Sequence, residues 1–234
     1  MTAEVKKPQV IGLGEIVFDI MPDSRKLGGA PADFLHYAVK YGADGHLISA
    51  IGADDLGREV VSELHKFNIN PVLAVTPYPT GRVLIFKTPS GGHSAHILEN
   101  AAWDYIPATD AAEKCIATAD AVYFGTLALR KAYSKATVLD LIDAAPKEAY
   151  KFFDINLRQD YYDKEIITEI SKETGLSEEY IRNISEKGIY PTAFNFGRSF
   201  ASFGNLQSNQ TEILVKQQEI LKKIAEKGNC IIVG

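Results

Sequence analysis

Asp19 closes the apolar run Gly14-Glu15-Ile16-Val17-Phe18. A carboxylate at such a point is costly to bury unpaired. It is either exposed at a strand end or it accepts hydrogen bonds from ligand hydroxyls, each worth about 1.5–3 kcal/mol when charge-assisted. A second cluster, Gly28-Gly29-Ala30-Pro31-Ala32-Asp33, opens a helix. Glycines there let a ligand approach the backbone, and the helix start offers free N–H groups. The same residues also read as a tight turn whose Asp33 is favoured by the helix dipole. Gly12-Leu13-Gly14 is followed by Val17 where the dinucleotide fingerprint needs glycine, so that fingerprint fails. Its glycines read as places where other backbone comes close. No G-x-x-x-x-G-K-[ST], G-x-S-x-G or H-E-x-x-H pattern occurs. His93 and His96 stand three apart on an expected strand and face opposite sides, so a shared metal is not expected.

Alternating elements must position these groups. Residues 10–20 form an apolar, β-branched run. Residues 31–41 read as a helix, with Pro31 suited to its first position and Gly42 as its stop. Residues 46–51 form a short strand. Asp54 or Asp55 then caps a helix reaching about Phe67, with Val60, Val61 and Leu64 on one face. Residues 121–125 and 151–155 are further buried strands. Between them Ser134 is expected to cap a helix carrying Val138, Leu139, Leu141 and Ile142. Strands separated by helices predict parallel pairing with helices on the sheet faces. Residues 71–99 break this rhythm. Runs 82–87 and 93–98 flank Pro89-Ser90-Gly91-Gly92, a hairpin signal that reads as a flap beside a site or as a sheet-edge extension. Helices are expected over 163–174, from Ser177, and up to about Lys227, the last behind an Asn209–Glu212 capping box. Residues 230–233 are strand-like.

Of 234 residues, 46% are hydrophobic and 24% charged, which is enough apolar material for a core and excludes disorder as the main state. No run approaches the length of an apolar membrane helix. With 25 basic against 30 acidic residues there is no basic excess to neutralise phosphates, so neither nucleic acid nor a membrane is expected as a partner. Cys115 and Cys230 lie too far apart in sequence to suggest a disulfide framework or a metal site. The first eight residues are polar and lack the apolar core of a signal peptide, so a cytoplasmic protein is expected.

The runs IGLGEIVFDIMP, GGAPADFLHYAVKYGADGHLISAIGADDLGREV, ENAAWDYIP, FGTLALR and FDINLR resemble a ribokinase/fructokinase-type (PfkB) carbohydrate kinase over about residues 8–162. They most resemble the fructokinase branch. The resemblance implies an α/β fold in which residues 1–160 form an incomplete ribokinase-like parallel sheet, flanked by helices, with a small β lid at about 71–99. It implies ATP-dependent phosphoryl transfer to a sugar hydroxyl, with ATP and Mg²⁺ as cofactors and a hexose such as fructose as the small-molecule partner. Homo-oligomerisation is left open. By the same resemblance Asp19 would bind sugar hydroxyls, and Gly28 and Gly29 would let the sugar rest against the backbone. Asp33 stands where the family normally has a sugar-contacting Asn. Two acids would then face one small site, and like charge should raise one of their pKa values. Asn156 and Arg158 would shape the corner near sugar and phosphates. The family's late G-A-G-D motif supplies the catalytic base and an anion hole, and no counterpart occurs here, so little or no kinase activity is expected.

Residues 161–234 resemble something else. YYDKEIITEISKETGLSEEYIRNISEKG, FNFGRSFASFGNLQSNQTEI and IAEKGNCIIVG look like the cytidylate-kinase-like family of P-loop nucleotide kinases, without its phosphate loop. Residues 159–165 satisfy both families' patterns, which points to a fusion, natural or artefactual, of a sugar-kinase part with a mainly helical tail. The alternative is a fructokinase whose C-terminal half has drifted. A non-catalytic sugar-binding or dimerising remnant and a nucleotide-kinase fragment are the other functional classes. Without its late strands the sheet is expected to expose apolar faces and an edge unless the tail covers them.

Overall fold

The computed structural model describes residues 6–87, 93–154 and 230–233. In chain order its elements are β1 (Gln9–Leu13), β2 (Val17–Met21), β3 (Ser24–Gly28), α1 (Ala30–Lys40), β4 (Asp44–Gly52), α2 (Asp55–Lys66), β5 (Ile69–Thr76), β6 (Gly81–Lys87), β7 (His93–Ile97), α3 (Asp110–Ile116), β8 (Ala121–Gly125), α4 (Ala132–Ala144), β9 (Tyr150–Asp154) and β10 (Cys230–Val233). Short 3-10 turns occupy Ala102–Tyr105 and Leu127–Leu129.

Six strands form one parallel sheet in the order β10-β9-β8-β1-β4-β5. The chain winds one way from β1 through β4 to β5, returns to β8, and then winds the other way to β9 and β10. Crossovers between parallel strands are right-handed, so reversing the winding moves the helices to the opposite face. Accordingly α1 and α2 cover one face, while α3 and α4 cover the other. β1 shows both sides at once. Val10 packs with Leu35, Leu47, Val60 and Leu64, while Ile11 and Leu13 pack with Ile116, Val122, Val138 and Leu141. A strand buried on both faces reads as a continuous apolar run. Gly12 belongs there because an added Cβ would lie 2.9 Å from Leu35 Cδ1 and 3.0 Å from the Pro31 carbonyl oxygen.

A second sheet, ordered β3-β2-β6-β7, stands apart as the lid. Its Val17, Val83 and Ile97 pack on Ala50, Trp103 and Ile106, which seats it over the C-terminal end of β4. The hairpin expected around Pro89-Ser90-Gly91-Gly92 is the antiparallel β6–β7 pair. The extent of the lid is corrected. β5 pairs with β4 from Gly45↔Ile69 to Gly52↔Thr76 and belongs to the main sheet. The lid instead gains β2 and β3, so the run at 10–20 is split between two sheets. A hairpin announces itself through its turn, whereas the parallel β2–β6 pair joins segments distant in sequence.

Other expectations are refined by packing. α2 starts under Asp54 as expected, with Val60 and Leu64 buried. Ser134 is no helix cap: α4 begins at Ala132, and the buried Ser134 hydroxyl accepts from Ile106 N at 2.9 Å and donates to the Trp103 carbonyl at 2.8 Å. Leu139 faces outward at 42% exposure. α3 was not expected; Thr109 Oγ1 caps it by accepting from Ala112 N at 3.2 Å. The outer edge of β9 is not bare, since β10 pairs with it from Cys230↔Lys151 to Val233↔Asp154. The helices expected between 163 and 227 lie outside the described residues. Among the described residues no helix is long and apolar enough to cross a membrane.

Candidate functional site

Beyond β1 the chain leaves the main sheet through Gly14, and Glu15 and Ile16 follow, both buried. β2 then carries Asp19, whose register partner on β3 is Lys26. Two residue pairs further along, a Cβ on Gly28 would sit 3.0 Å from Asp19 Oδ2, so the Asp19 carboxylate lies close over the bare Cα of Gly28. Gly29 adopts φ 115°, and a Cβ there would come within 2.6 Å of the Glu15 carbonyl oxygen. Only glycine meets both demands. Gly29 is also the N-cap of α1 and offers no side-chain cap. Pro31 follows early in the helix, where a missing N–H costs nothing. Asp33, in the first turn, is open to solvent at its surface. Desolvation by the surrounding protein raises its carboxyl above the ordinary range; Lys26 opposes the rise and the charge of Asp19 adds to it. Desolvation therefore contributes more than the like charge that the sequence pointed to. Asp19, Gly28, Gly29 and Asp33 come together at this turn. Asn156 and Arg158 lie outside the described residues, shortly after the end of β9.

Behind the turn lies a group that sequence reasoning missed. Glu15 is 4% exposed. Its Oε1 accepts from the Ala30 N–H at 3.2 Å, and its Oε2 is buried without a hydrogen-bond partner. Burial pushes the Glu15 carboxyl up to about 7; the Glu15 and Ala30 amides pull down, Asp154 pushes up, and Arg130 pulls down. Asp154 ends β9, is itself buried, and accepts a hydrogen bond from the Tyr123 hydroxyl. Burial, then that bond, raises the Tyr123 phenol above its ordinary range. The Tyr123 ring stacks on Phe34 of α1 at 4.5 Å between centroids. Arg130 is committed to Asp104, with Nε and Nη2 at 2.6 and 2.7 Å, and lies 4.1 Å over the Trp103 ring. An acid directly after Gly14 inside an apolar run was the available signal for Glu15, and Asp19 in the same run drew the attention.

The root of the lid is fastened separately. Asp54 Oδ1 accepts from Gly57 N at 2.8 Å and Thr80 Oγ1 at 2.6 Å, while Oδ2 accepts from Thr80 N at 2.9 Å. Thr80 Oγ1 in turn accepts from Gly52 N at 3.0 Å. Burial alone would raise the Asp54 carboxyl, but the Thr80 and Gly57 bonds, with Arg82, outweigh it and hold the group below the usual carboxylate range. Arg25 of β3 pairs with Glu59 of α2, its Nε 3.0 Å from Oε1.

A doubly wound parallel sheet with a second, four-stranded sheet seated over the C-terminal end of β4 defines a class of protein, and the sequence matches agree with it. Residues 14–173 match the model of the pfkB family carbohydrate kinases, and the chain belongs to that family. Residues 155–234 match the cytidylate kinase-like family, so the two matches overlap over 155–173. The uncharacterized sugar kinase PH1459 from Pyrococcus horikoshii is 24% identical over 201 residues, covering 77% of this chain and 65% of that protein. Its structure in complex with ATP superposes with a TM-score of 0.61, covering 68% of this chain and 58% of that chain. The fructokinase of Halothermothrix orenii is 20% identical with a TM-score of 0.58, over 69% of this chain and 65% of that one. A fructokinase from Vibrio cholerae O395, in its fructose-, ADP- and calcium-bound form, is 18% identical with a TM-score of 0.56, over 72% and 58% of the two chains. The α/β fold is shared with all three. This chain spans 65% of the length of the curated relative it matches.

Proposed function

We propose that this chain carries the sugar-binding half of a fructokinase-type carbohydrate kinase acting in the cytoplasm on a hexose such as fructose. The observation that carries the reading is the Asp19 carboxylate set over Gly28 beside the left-handed Gly29, with Asp33 on the adjoining helix turn. Asp19 and Asp33 accept hydrogen bonds from sugar hydroxyls, and the two bare glycines let the ring approach the main chain. Asn156 and Arg158 are the further residues proposed to act near the sugar and phosphates. In the complete reaction a base takes the hydroxyl proton and backbone amides neutralise the transferring phosphate of ATP, where Mg²⁺ would add positive charge if bound. Among the described residues no group of three or more His, Cys, Asp or Glu is placed to hold a metal. The sequence has no G-A-G-D motif, and losing a general base typically costs 10²–10⁴-fold. We therefore expect the 234 residues to bind sugar and to transfer phosphate slowly or not at all.

The overlap of the two family matches at 155–173 supports a fusion, with residues 1–160 as the sugar part and 161–234 as a segment like the cytidylate kinases. Titration calorimetry with fructose tests the reading: heat is expected from the unaltered chain and none from Asp19→Ala. No heat from fructose or from other hexoses would sink it. Coupled detection of ADP release with fructose and Mg-ATP tests the second half of the statement. A rate at the no-enzyme level is expected, and brisk fructose-dependent turnover would overturn the claim of impairment.

A further inference from the structure

Asp19 is carried by the lid, whereas Gly29 and Asp33 belong to α1 on the main body, so the proposed sugar site joins two parts whose relative setting must be fixed. Asp54 and Thr80 fasten the entry to β6. The exit of β7 has a fastening of its own. Arg130 Nη2 donates to the Leu98 carbonyl at 2.8 Å, while Nε and Nη2 donate to the Asp104 carboxylate at 2.6 and 2.7 Å. The Arg130 and Asp104 side chains are 3% and 0% exposed. Asp104 Oδ2 also accepts from Ala101 N at 3.0 Å. The guanidinium lies over the Trp103 ring, and Trp103 in turn backs β6, because a Cβ on Gly81 would sit 2.5 Å from its Nε1. Trp103 packs with Ala50 of β4, and Ser134 of α4 holds the same turn through the Trp103 carbonyl and the Ile106 amide.

Strand register gives this cluster its reach. Asp19 on β2 pairs with Val83 on β6, and Val83 pairs with Ile97 on β7. The next residue is Leu98, whose carbonyl Arg130 holds. Asp19 therefore stands in the row of lid residues beside the fastened one. Arg130 itself lies on the main body, between β8 and α4. We infer that Arg130, paired with Asp104, is a positioning residue: its buried guanidinium docks the foot of the lid on the main body and so sets Asp19 against Gly29 and Asp33 in the sugar site. This deepens the sugar-binding reading and rests on it. The chemistry of the side chain suits the task. A planar guanidinium has several donors in a fixed fork, so it holds a carboxylate and a carbonyl at once. A lysine would keep the charge on a single nitrogen and lose the fork. Desolvation cancels much of the attraction within a buried ion pair, so its net return in stability is small. What the pair supplies is geometry, since it fixes residues 98, 104 and 130 at one point.

The test uses the full chain, its Arg130→Lys and Asp104→Asn variants, and Ile116→Ala as a control buried in the α3 side of the core. Fructose affinity is read by calorimetry and stability by denaturant unfolding. The setting of the lid is read from residual dipolar couplings of amides in β2, β6 and β7 against those in β1, β4 and β8. Arg130→Lys should weaken fructose binding about tenfold and turn the lid strands relative to the main sheet. Asp104→Asn, which keeps one acceptor for the fork, should show a smaller change in the same direction. Ile116→Ala should lower stability and leave both affinity and lid couplings as they are. Native fructose affinity in Arg130→Lys, or lid couplings that do not change, would overturn the inference. An equal loss of affinity in Ile116→Ala would overturn it too, because general destabilisation would then account for the effect. If no protein binds fructose, the sugar reading fails by itself. The couplings still decide the docking role: a turned lid in Arg130→Lys supports it and an unmoved one ends it. Should Arg130→Lys fail to fold, Asp104→Asn carries the same comparison.

Discussion

Helices α1 and α2 both begin under a carboxylate, and the two carboxyls move in opposite directions. Asp54 caps α2 from its own N-cap position and collects bonds from Gly57 N, Thr80 N and the Thr80 hydroxyl, with Arg82 nearby. Glu15 reaches the start of α1 from a different segment, receives one bond from Ala30, and is enclosed beside Asp154. A helix N-terminus favours negative charge in both cases. What separates them is the number of donors set against desolvation. Several donors on a half-buried acid hold it below the usual carboxylate range, whereas fewer donors on a fully buried acid, with the charge of Asp154 acting on it, leave it raised to about 7. The charged cap fastens the lid root. The raised one bonds the Ala30 N–H at the turn proposed to receive the sugar.

The strongest way to break this contrast is to crowd the α1 side. Gly29→Ala would add the strain of a left-handed backbone to an overlap with the Glu15 carbonyl, and a loss of about 4 kcal/mol is expected in denaturant unfolding. A loss under about 1 kcal/mol would show that the turn is loose. Next comes the pH dependence. With Glu15 raised from 4.5 to about 7, the folded state holds a proton that the unfolded state releases. Stability should therefore fall as pH rises from about 4.5 to about 7, by about 3 kcal/mol, and level off above. Glu15→Gln should remove that slope; a flat profile in the unaltered protein would contradict the neutral acid.

The Asp54 side should behave in reverse. Its carboxyl is held below the ordinary 3.8, so its contribution is present above that value and is lost as pH falls further. The two acids thus act in separate windows, one below about 4 and one between about 4.5 and 7. Asp54→Ala should cost about 1–2 kcal/mol as a lost cap and speed exchange of the Thr80 and Gly57 amides, leaving the slope due to Glu15 in place. The smallest effect is expected at Asp33. Asp33→Asn removes a solvent-facing acid that the protein disfavours, so stability should shift by no more than about 0.5 kcal/mol while fructose affinity changes. A large loss of stability there would show that Asp33 is a structural cap instead of a ligand group.

Much of the scaffold was legible in the residues. Pro31 and Gly42 bracket α1, Asp54 starts α2, and the run at 121–125 is β8, because caps, stops and apolar runs are decided within a few residues. Ser134 misled for the same local reason: its hydroxyl serves Ile106 and Trp103, partners far away in sequence. The Ser24–Gly28 strand was not expected, since Ser-Arg-Lys carries no strand signal without β2 beside it. Of the proposed site, Asp19, Gly28, Gly29 and Asp33 were singled out by type and spacing, and the structure gathers them at one turn. Glu15 was passed over because an acid in an apolar run does not reveal how many donors will face it.

The alternation of α1, β4, α2, β8, α4 and β9, the glycine turn at the head of α1 and the run at 230–233 as a strand were determined by the sequence alone. Each depends on neighbours a few positions away. Which sheet β2 and β5 join, the pairing of β10 with β9, and the protonation of Glu15 were decided only in three dimensions. They follow from desolvation and from contacts between segments far apart in the chain, and neither is encoded at any one position.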